Sequence, residues 1–478
     1  MKVVGSTYLS NRGFAIEKKG NEALVETLKQ ELTVCPKVNP NMIGAGGEPV
    51  CFPVYRENEE KLYLPKYFGL QKFGIPMKNT IKDGVDAPGL VFHGSIRPEQ
   101  EAPVNAFLEA TQDAKKMGGI ISLPCGAGKT VCGLYIASYF KKKTLIVCHK
   151  DFLGNQWKER ISQFLPQAKI GTMKQSKVDT KDKDIVIASL QSIAMRTYDE
   201  SIFKEFGLVI FDEAHHLSAE VFSQCLPKTT AKRMLGLSAT LKRKDGLSKV
   251  FEWYLGKPVY QIKREDNHLE VLVKRFYDPA PEYSKEVKMH WNGKLNVAKM
   301  INNVCEFPPR NYMIVDTLME VLKKEPKRQV LILSERRNHL VELENLLLQR
   351  KVTSIGYYIG GMRQEELDKS AEQQILLGTF QLAQEGMDVP TLNTLVLASP
   401  VSSIEQAIGR IQRQKKEARV YKPLVIDIVD EFSMFEGQGR KRLAFYIKNN
   451  YEITDAVKEK QELEKDMKYC FIEDPDDR

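Results

Sequence analysis

The clearest chemical pattern is formed by Gly126, Gly128, Lys129 and Thr130, which lie between two apolar runs. This order predicts a strand, a glycine turn and a helix whose backbone amides point toward phosphate oxygens. We expect Lys129 to reach the β- and γ-phosphates and the Thr130 hydroxyl to hold Mg²⁺. An ordinary strand-to-helix turn is the alternative, although Gly-Lys-Thr in this setting is uncommon by chance. The first glycine of the general GxxxxGK[ST] pattern is replaced by Leu123. The whole segment is expected to bind nucleotide: Leu123, Pro124, Cys125, Gly126, Ala127, Gly128, Lys129 and Thr130.

Two adjacent carboxylates, Asp212 and Glu213, follow the apolar run Leu208–Phe211. Asp212 could hold a metal ion, and Glu213 could act as the general base toward an attacking water. The alternative is that the two acids only begin a surface helix, where negative charge favours the helix dipole. The phosphate-binding pattern upstream favours the catalytic interpretation.

The alternation of short apolar runs with helical patterns predicts an α/β fold with doubly wound parallel sheets. A chain of 478 residues is expected to form more than one domain. We predict an N-terminal accessory domain at 1–90, a first α/β domain at 91–262, a connector at 263–310, a second α/β domain at 311–450 and a charged tail at 451–478. Strands are predicted at 144–148, 184–188, 208–211, 234–237, 271–277, 330–333, 354–359, 375–377, 394–398 and 424–428.

Composition and charge describe an ordinary globular protein with a modest preference for a polyanionic partner. The net charge is +9, and 42% of the residues are hydrophobic. The eight cysteines are scattered without a Cys-x-x-Cys pair, which argues against zinc and a disulfide framework and favours a reducing compartment. No run approaches the ~18 apolar residues that span a bilayer, and no signal-peptide core is evident. We therefore expect a soluble intracellular protein that does not contact membranes.

Several motifs in this order resemble those of the superfamily 2 helicases, from about residue 92 to 430. The Asp-Glu-Ala-His (DEAH) box at Asp212–His215 is similar to motif II. The other matching segments are Ile96–Gln100 for the adenine-reading element, Ser238–Thr240 for motif III, Gly386–Pro390 for motif V and Gln406–Arg413 for motif VI. The resemblance implies two tandem RecA-like domains. Outside it, the helix and strand patterns of residues 1–90 predict a small α+β domain.

The resemblance also implies roles for individual residues. It assigns Gln406, Arg410 and Arg413 to catalysis, the two arginines acting on the γ-phosphate and as an arginine finger. Because the arginines are three apart on a predicted helix, we expect both to project from one face. Further roles are implied as well: nucleotide contact by Arg97, Gln100, Gly386 and Asp388, and coupling of hydrolysis to nucleic acid by Ser238, Ala239 and Thr240.

Within the superfamily, the residues in and around these motifs are similar to those of the XPB-like branch. The similar segments are Arg97-Pro98-x-Gln100, Gln156-Trp157 and Ser334-Glu335-Arg336. The compact chain resembles viral members of this branch, including poxvirus transcript-release helicases and their counterparts in other large cytoplasmic DNA viruses. That resemblance implies work in the host cytoplasm or the virion, and a role in transcription or DNA repair.

The nucleic-acid track is expected to cross the outer ends of both sheets. Hydroxyls, glycine amides and a few cations suit sequence-independent contact with phosphates. The candidates are Lys150, Gln156, Trp157, Ser189, Gln191, Gly360, Gly361, Thr379 and Gln381. The basic run Lys242–Lys244 could join them or simply face solvent.

The sequence therefore predicts an ATP-dependent DNA helicase or translocase that uses Mg²⁺ and acts alone on nucleic acid, with RNA as another possible track. Two alternatives stay open. One is the motor subunit of a restriction or repair assembly. The other is a nucleotide-switched scaffold that binds nucleic acid without unwinding it.

Overall fold

The computed structural model describes residues 3–35, 51–124, 126–213, 224–239, 247–262, 268–290, 293–385, 387, 389–414 and 418–454. The chain divides into two compact units, Met1–Lys263 and Arg264–Arg478. Some of the predicted features lie outside the described residues, namely Cys125, Thr240, Gly386, Asp388, the basic run Lys242–Lys244 and the part of the charged tail beyond residue 454.

The first unit begins with a small α+β segment. Its elements are β1 Thr7–Ser10, β2 Gly13–Glu17, α1 Glu22–Glu31, β3 Thr33–Val34, β4 Phe52–Pro53, β5 Arg56–Glu57, β6 Lys61–Leu64, α2 Lys66–Phe73 and β7 Lys78–Asn79. The sheet order is β5-β6-β2-β1-β7, and β3 pairs separately with β4. Helix α2 packs closely on β2 because Gly69 has no side chain. A Cβ at this position would lie 2.3 Å from the Phe14 ring.

This segment shares a hydrophobic core with the α/β sheet that follows it. The Tyr67 hydroxyl donates to the Met117 carbonyl at 3.0 Å, and the Tyr254 hydroxyl donates to the Val54 carbonyl at 2.6 Å. Lys66 is fully buried, and its ammonium donates to the carbonyls of residues 231 and 232. The boundary near residue 90 stays a prediction, although the packing across it is continuous.

Cys35 and Cys51 form a disulfide, with 2.05 Å between their sulfurs. The expectation that the chain carries only reduced cysteines is wrong for this pair. The sequence spacing did not indicate the bridge, which follows from the antiparallel pairing of Val34 with Phe52. The next residue outward on each strand is a cysteine, so the two sulfurs meet.

The α/β part of the first unit contains an eight-stranded sheet in the order β11-β10-β12-β9-β13-β14-β8-β15. All neighbours are parallel except the β10–β11 hairpin. The predicted strands at 144–148, 184–188, 208–211 and 234–237 are confirmed to within one residue. In chain order, the elements of this α/β part are α3 Pro98–Gln112, β8 Gly118–Ser122, α4 Lys129–Phe140, β9 Thr144–Cys148, α5 Asp151–Phe164, β10 Ile170–Lys174, β11 Lys177–Asp179, β12 Ile185–Ser189, α6 Leu190–Met195, α7 Glu200–Phe203, β13 Leu208–Asp212, a 3-10 turn Leu226–Lys228, β14 Arg233–Ser238, α8 Ser248–Leu255 and β15 Pro258–Gln261.

The second unit contains a seven-stranded parallel sheet in the order β18-β19-β17-β20-β21-β16-β22. Strand β16 lies within the predicted connector 263–310 and pairs with β21 along its whole length. The elements are β16 Glu270–Phe276, α9 Pro281–Ser284, α10 Val297–Glu306, α11 Pro308–Lys324, β17 Val330–Ser334, α12 Arg337–Gln349, β18 Ile355–Tyr358, α13 Gln364–Ala371, β19 Ile375–Thr379, α14 Phe380–Glu385, β20 Thr394–Leu397, α15 Glu405–Ile411, β21 Leu424–Asp430, α16 Ser433–Lys448 and β22 Glu452–Thr454.

A buried ion pair fixes α11 against the second sheet. The Arg310 guanidinium donates to both oxygens of Asp430 at 2.6 and 2.9 Å, and it also donates to the Ala398 carbonyl at 2.7 Å. Arg442 on α16 makes a similar pair with Asp427. These contacts join the ends of β20 and β21 to the helices that cover them.

The fold class predicted from the sequence is confirmed: two α/β domains with parallel sheets and a small α+β segment at the N-terminal side. Each sheet carries helices between successive parallel strands, which places loops with ligand-binding potential at the carboxyl ends of the strands. Within the described residues, no helix combines the length and the apolar character needed to cross a membrane.

Candidate active site

The phosphate loop runs from the end of β8 to the start of α4, as predicted. Gly126 and Gly128 both have φ near +82°, a backbone conformation that other residues rarely adopt. Gly128 is the residue that precedes α4, and a Cβ there would lie 2.0 Å from the Gln100 side-chain nitrogen. The two glycines therefore permit both the backbone turn and the close approach of α3. Lys129 and Thr130 lie in the first turn of α4, whose amino end favours a bound anion.

Gln100 and Arg97 contact this loop from the start of α3. The Gln100 amide donates to the carbonyls of Ala127 and Gly128, both at 3.3 Å, and its oxygen accepts from the Arg97 backbone amide. Arg97 also forms an ion pair with Glu99 at 3.3 Å. The structure thus brings both predicted adenine-contact residues to the phosphate loop.

Lys129 and the two carboxylates meet at the carboxyl ends of β8 and β13, the two strands on either side of β14. The Lys129 ammonium lies 3.1 Å from Glu213 and donates to the Leu123 carbonyl at 3.3 Å. Asp212 is the last residue of β13, and Glu213 follows it with a φ of +48°. This left-handed conformation is strained for a glutamate, at a cost of about 1–3 kcal/mol, and such strain is concentrated at functional sites.

Asp212 is buried, with 8% of its surface exposed. Burial, followed by the nearby charge of Glu213, raises its pKa to about 6, whereas the Trp157 hydrogen bond and Lys129 lower it. A carboxylate in this environment would be stabilised by an additional cation. Together with the Thr130 hydroxyl it offers the oxygen ligands that Mg²⁺ prefers, alongside phosphate oxygens. The residues present therefore fit the predicted magnesium ion.

Trp157 has a different environment from the one predicted. Its side chain is 1% exposed, and its indole nitrogen donates to Asp212 at 2.8 Å. The prediction that Trp157 contacts nucleic acid does not fit this burial. The reason is that Trp157 lies on the same face of α5 as Leu153 and Ile161, which are buried against the sheet.

The predicted coupling residues lie beside the phosphate loop. Ser238 ends β14 and pairs with Ser122 on β8, and its carbonyl accepts from the Leu123 amide at 3.0 Å. Ala239 follows directly, and the Glu213 amide donates to the neighbouring Leu237 carbonyl at 3.0 Å. Ser238 therefore contacts the phosphate loop, and Leu237, the residue before the triplet, contacts the segment that carries the two acids.

Motif VI in the second unit differs from its predicted geometry. Helix α15 ends at Ile411, so Arg413 lies beyond the helix, and the expectation that both arginines share one helical face is wrong. Arg410 is 7% exposed and donates to the Met387 carbonyl at 2.9 Å. Gln406 is half-buried in the first turn of the same helix. Arg410 thus holds the backbone between Gly386 and Asp388.

The predicted nucleic-acid residues of the first unit lie at the carboxyl edge of its sheet. Lys150 precedes α5, and Gln156 lies on that helix beside Trp157. Ser189 ends the adjacent strand β12, and its hydroxyl accepts from the Ser192 amide at the start of α6. Gln191 is exposed on α6. Except for Trp157, these side chains are at least partly exposed and occupy one edge.

The corresponding residues of the second unit also share a carboxyl edge. Gly360 and Gly361 are exposed just after β18, Thr379 ends β19, and Gln381 is exposed on α14. Arg337, which was not predicted from the sequence, is exposed at the start of α12 and donates to the Gly360 carbonyl at 2.6 Å. Its position directly after Ser334–Arg336 was the signal that could have indicated it.

Comparisons with known proteins agree with this architecture. Residues 93–243 match the family model for the type III restriction enzyme, res subunit, and residues 313–415 match that for the helicase conserved C-terminal domain. A protein of Acanthamoeba polyphaga mimivirus, provisionally named ATP-dependent RNA helicase L396, is 34% identical over 480 residues, covering 97% of this chain and 90% of the relative. "Probable helicase D10" of Escherichia phage T5 is 27% identical over 400 residues, covering 81% of this chain and 82% of the relative.

Two solved structures also match. T4 UvsW aligns with a TM-score of 0.35 and 17% sequence identity, covering 90% of this chain and 95% of that one. The Pyrococcus furiosus Hef helicase domain aligns with a TM-score of 0.48 and 15% identity, covering 72% and 97%. Both TM-scores are below 0.5, so the fold assignment rests on the strand order within each unit. With the mimivirus relative matched over nearly its whole length, the chain belongs to the superfamily 2 helicases, enzymes that use ATP hydrolysis to drive a motor on nucleic acid.

Proposed function

We propose that this enzyme is an ATP-dependent DNA helicase or translocase of the XPB-like branch. The observation that carries the proposal is the convergence of Lys129, Asp212 and Glu213 on a phosphate loop whose two glycines are in the required conformation. A scaffold that only binds nucleotide has no need of this complete set of hydrolytic side chains, and its presence favours a working ATPase.

The contacts of Lys129 suggest how hydrolysis would be prepared. Its ammonium is paired with Glu213 at 3.1 Å. Bound phosphates would compete for Lys129, because they carry more negative charge than one carboxylate. Glu213 would then be available to accept a proton from the attacking water. Thr130 and Asp212 would hold Mg²⁺, which neutralises charge on the transferred phosphoryl group when it is bound.

We assign the second unit a supporting role in the same reaction. Arg413, with Gln406, would stabilise the charge that develops on the γ-phosphate. Arg410 would act by holding the Met387 carbonyl. Gly386 and Asp388 are proposed as nucleotide contacts from the family resemblance. Movement of the two units during the ATP cycle would then advance the enzyme along its track.

We infer DNA as the preferred track because the motif residues resemble those of XPB-like motors, which act on DNA. The mimivirus relative carries an RNA helicase name, so RNA is the competing track. Viral relatives support a role in the cytoplasm of an infected cell or in the virion, in transcript release or DNA repair. The match to a restriction-enzyme subunit model supports a second candidate, the motor of a restriction or repair assembly.

The decisive experiment measures ATP hydrolysis with single-stranded DNA, duplex DNA, forked DNA and RNA of equal length, together with displacement of a labelled strand. We expect DNA to stimulate hydrolysis more than RNA and the forked substrate to be unwound.

Lys129→Ala and Glu213→Gln should abolish the stimulated activity while the proteins remain folded. Full activity in either variant would refute the assigned site. Stimulation by RNA alone would identify an RNA motor, and hydrolysis without displacement would identify a translocase.

A further inference from the structure

The indole of Trp157 occupies a position between the two helices that flank the nucleotide site. It belongs to α5, and its ring packs against α4 at Gly133, one turn after Lys129. A Cβ at Gly133 would lie 3.0 Å from the Trp157 ring, closer than most real contacts. The glycine therefore makes room for the indole beneath the phosphate loop.

The single N–H group of this indole is used on the carboxylate of Asp212, at 2.8 Å. Tryptophan is only a donor and carries no charge, so it can fix one oxygen of a carboxylate without neutralising it. A lysine or arginine at the same place would compete with a metal ion for the negative charge. The Trp157 contact is thus suited to orienting a metal-binding group.

We propose that Trp157 is a positioning residue for Asp212, which it holds in the orientation that binds the nucleotide's Mg²⁺. This inference rests on the proposed function, because it takes Asp212 as a metal ligand. Trp157 also belongs to the helix that carries Gln156 and follows Lys150, two of the expected nucleic-acid contacts. A displacement of α5 would therefore change the orientation of Asp212 directly, which connects the nucleic-acid track to hydrolysis.

The test removes the N–H group and keeps the ring. Trp157 is replaced by phenylalanine, and in a second protein by β-(3-benzothienyl)alanine, which has sulfur in place of the indole N–H. Trp253→Phe is the matched control, since Trp253 lies in the same unit and packs against Phe68 of the N-terminal segment. Binding of Mn²⁺ to the ADP complex is measured by electron paramagnetic resonance, with ADP affinity in EDTA and thermal unfolding measured in parallel.

We expect both Trp157 variants to bind Mn²⁺ in the ADP complex ~10–100-fold more weakly, as is usual when a hydrogen-bond partner of a metal ligand is lost. ADP affinity without metal, and the unfolding temperature of the benzothienyl protein, should match those of the unmodified protein. Trp253→Phe should leave Mn²⁺ binding unchanged. A merely structural role for Trp157 would lower the unfolding temperature without this shift in metal affinity.

Unchanged Mn²⁺ affinity in the benzothienyl protein would overturn the proposal. Asp212→Ala separates this result from a failure of the proposed function. If Asp212→Ala abolishes Mn²⁺ binding but the Trp157 variants do not weaken it, only the positioning role fails. If Asp212→Ala binds Mn²⁺ normally, Asp212 is not a metal ligand, and both the positioning role and the magnesium assignment within the proposed function fail. A further measurement compares the rate of ATP hydrolysis with and without nucleic acid, and the ratio of the two rates should be smaller in the Trp157 variants. An unchanged ratio would overturn the inference that α5 connects the nucleic-acid track to hydrolysis.

Discussion

The charge of the Asp212 carboxylate depends strongly on its surroundings. It lies at the end of a buried strand, beside a second carboxylate, and its pKa is raised to about 6. In the folded protein the proton is therefore held more tightly than in the unfolded chain. A bound cation would reverse this preference, which links the stability of the first unit to nucleotide binding.

Replacement of Asp212 by asparagine should stabilise the metal-free protein in a pH-dependent way. Because the folded-state pKa is raised, the contribution of Asp212 to stability is fully present below about pH 4 and is lost as the pH rises through about 6. Asparagine is neutral throughout, so we expect it to gain up to roughly 3 kcal/mol over Asp212 at pH 7.5 and little at pH 4. Urea unfolding of the first unit at both pH values tests this. A gain of equal size at the two values would contradict it.

Arg413→Ala should separate nucleotide binding from hydrolysis. If Arg413 stabilises the transition state, the variant should hydrolyse ATP ~10³-fold more slowly and still bind a fluorescent ATP analogue normally. Arg440→Ala on α16 is the control, because that arginine is 76% exposed and makes only a long surface contact. Equal loss of binding and hydrolysis in Arg413→Ala would argue against the transition-state role.

At the scale of single residues, the sequence predicts which residues belong to the site better than it predicts what surrounds each of them. Lys129 and Glu213 were predicted from residue type and spacing, and the structure brings them together because parallel strands end at one edge. Gln100 was predicted from the family resemblance, and it contacts the same loop from α3. Trp157 was misplaced because adjacent residues of a helix point about 100° apart, and Gln156 is half-buried where Trp157 is buried. Its hydrogen bond to Asp212 joins residues 55 positions apart, which no local pattern reveals.

The elements of the second unit are held to their sheet by buried charge. Arg310 of α11 and Asp430 of β21 are almost fully buried, and Arg310 also binds the carbonyl of Ala398 after β20. Such a pair is weak evidence for net stability, but removal of one partner leaves an uncompensated charge in the interior. The main effect of the pair is therefore to fix the positions of α11 and of the ends of β20 and β21.

Arg310→Met should destabilise the second unit by about 3–5 kcal/mol, because Asp430 would remain buried without its partner. The matched control is Arg350→Met, which removes an exposed pair with Asp316 and should cost less than about 1 kcal/mol. Guanidinium unfolding followed by circular dichroism compares the two. Similar losses in both variants would show that burial of the Arg310 pair has no special energetic effect.

Among the elements, buried parallel strands were the easiest to predict because they are continuous apolar runs. Strand β9 was predicted with its observed ends, whereas the β10–β11 hairpin was missed, since its polar residues resemble a loop. Helix α15 ends two residues before Arg413, and helix ends depend on tertiary contacts such as the Arg410 bond to Met387. Strand β16 was predicted as part of a connector, because its membership of the sheet depends on pairing with the distant strand β21.

At the scale of the whole molecule, the first unit unites sequence segments that the domain prediction kept apart. The N-terminal segment and the α/β sheet share one hydrophobic core, in which Phe68 packs against Trp253. Lys66 places a buried ammonium against two carbonyls before β14. Separation of the two parts would expose both apolar surface and unsatisfied polar groups.

Deletion of residues 1–90 should therefore prevent the first unit from folding cooperatively. The faces of Val250, Phe251 and Tyr254 that now pack on the N-terminal segment would be exposed to water. Thermal unfolding and limited proteolysis of the shortened protein measure this effect. A shortened protein that still melts cooperatively and retains ATPase activity would instead support an independent accessory domain at 1–90.

The hydrogen bond between Tyr254 and Val54 has a consequence for synthesis of the chain on the ribosome. Its two partners are separated by 200 residues. At 5–20 residues per second, translation takes roughly 10–40 s to reach from one to the other. During this interval the apolar face of α2 has been made, while α8, which packs against it, has not. The nascent chain must therefore expose that surface to the cell's chaperones before the first unit can close.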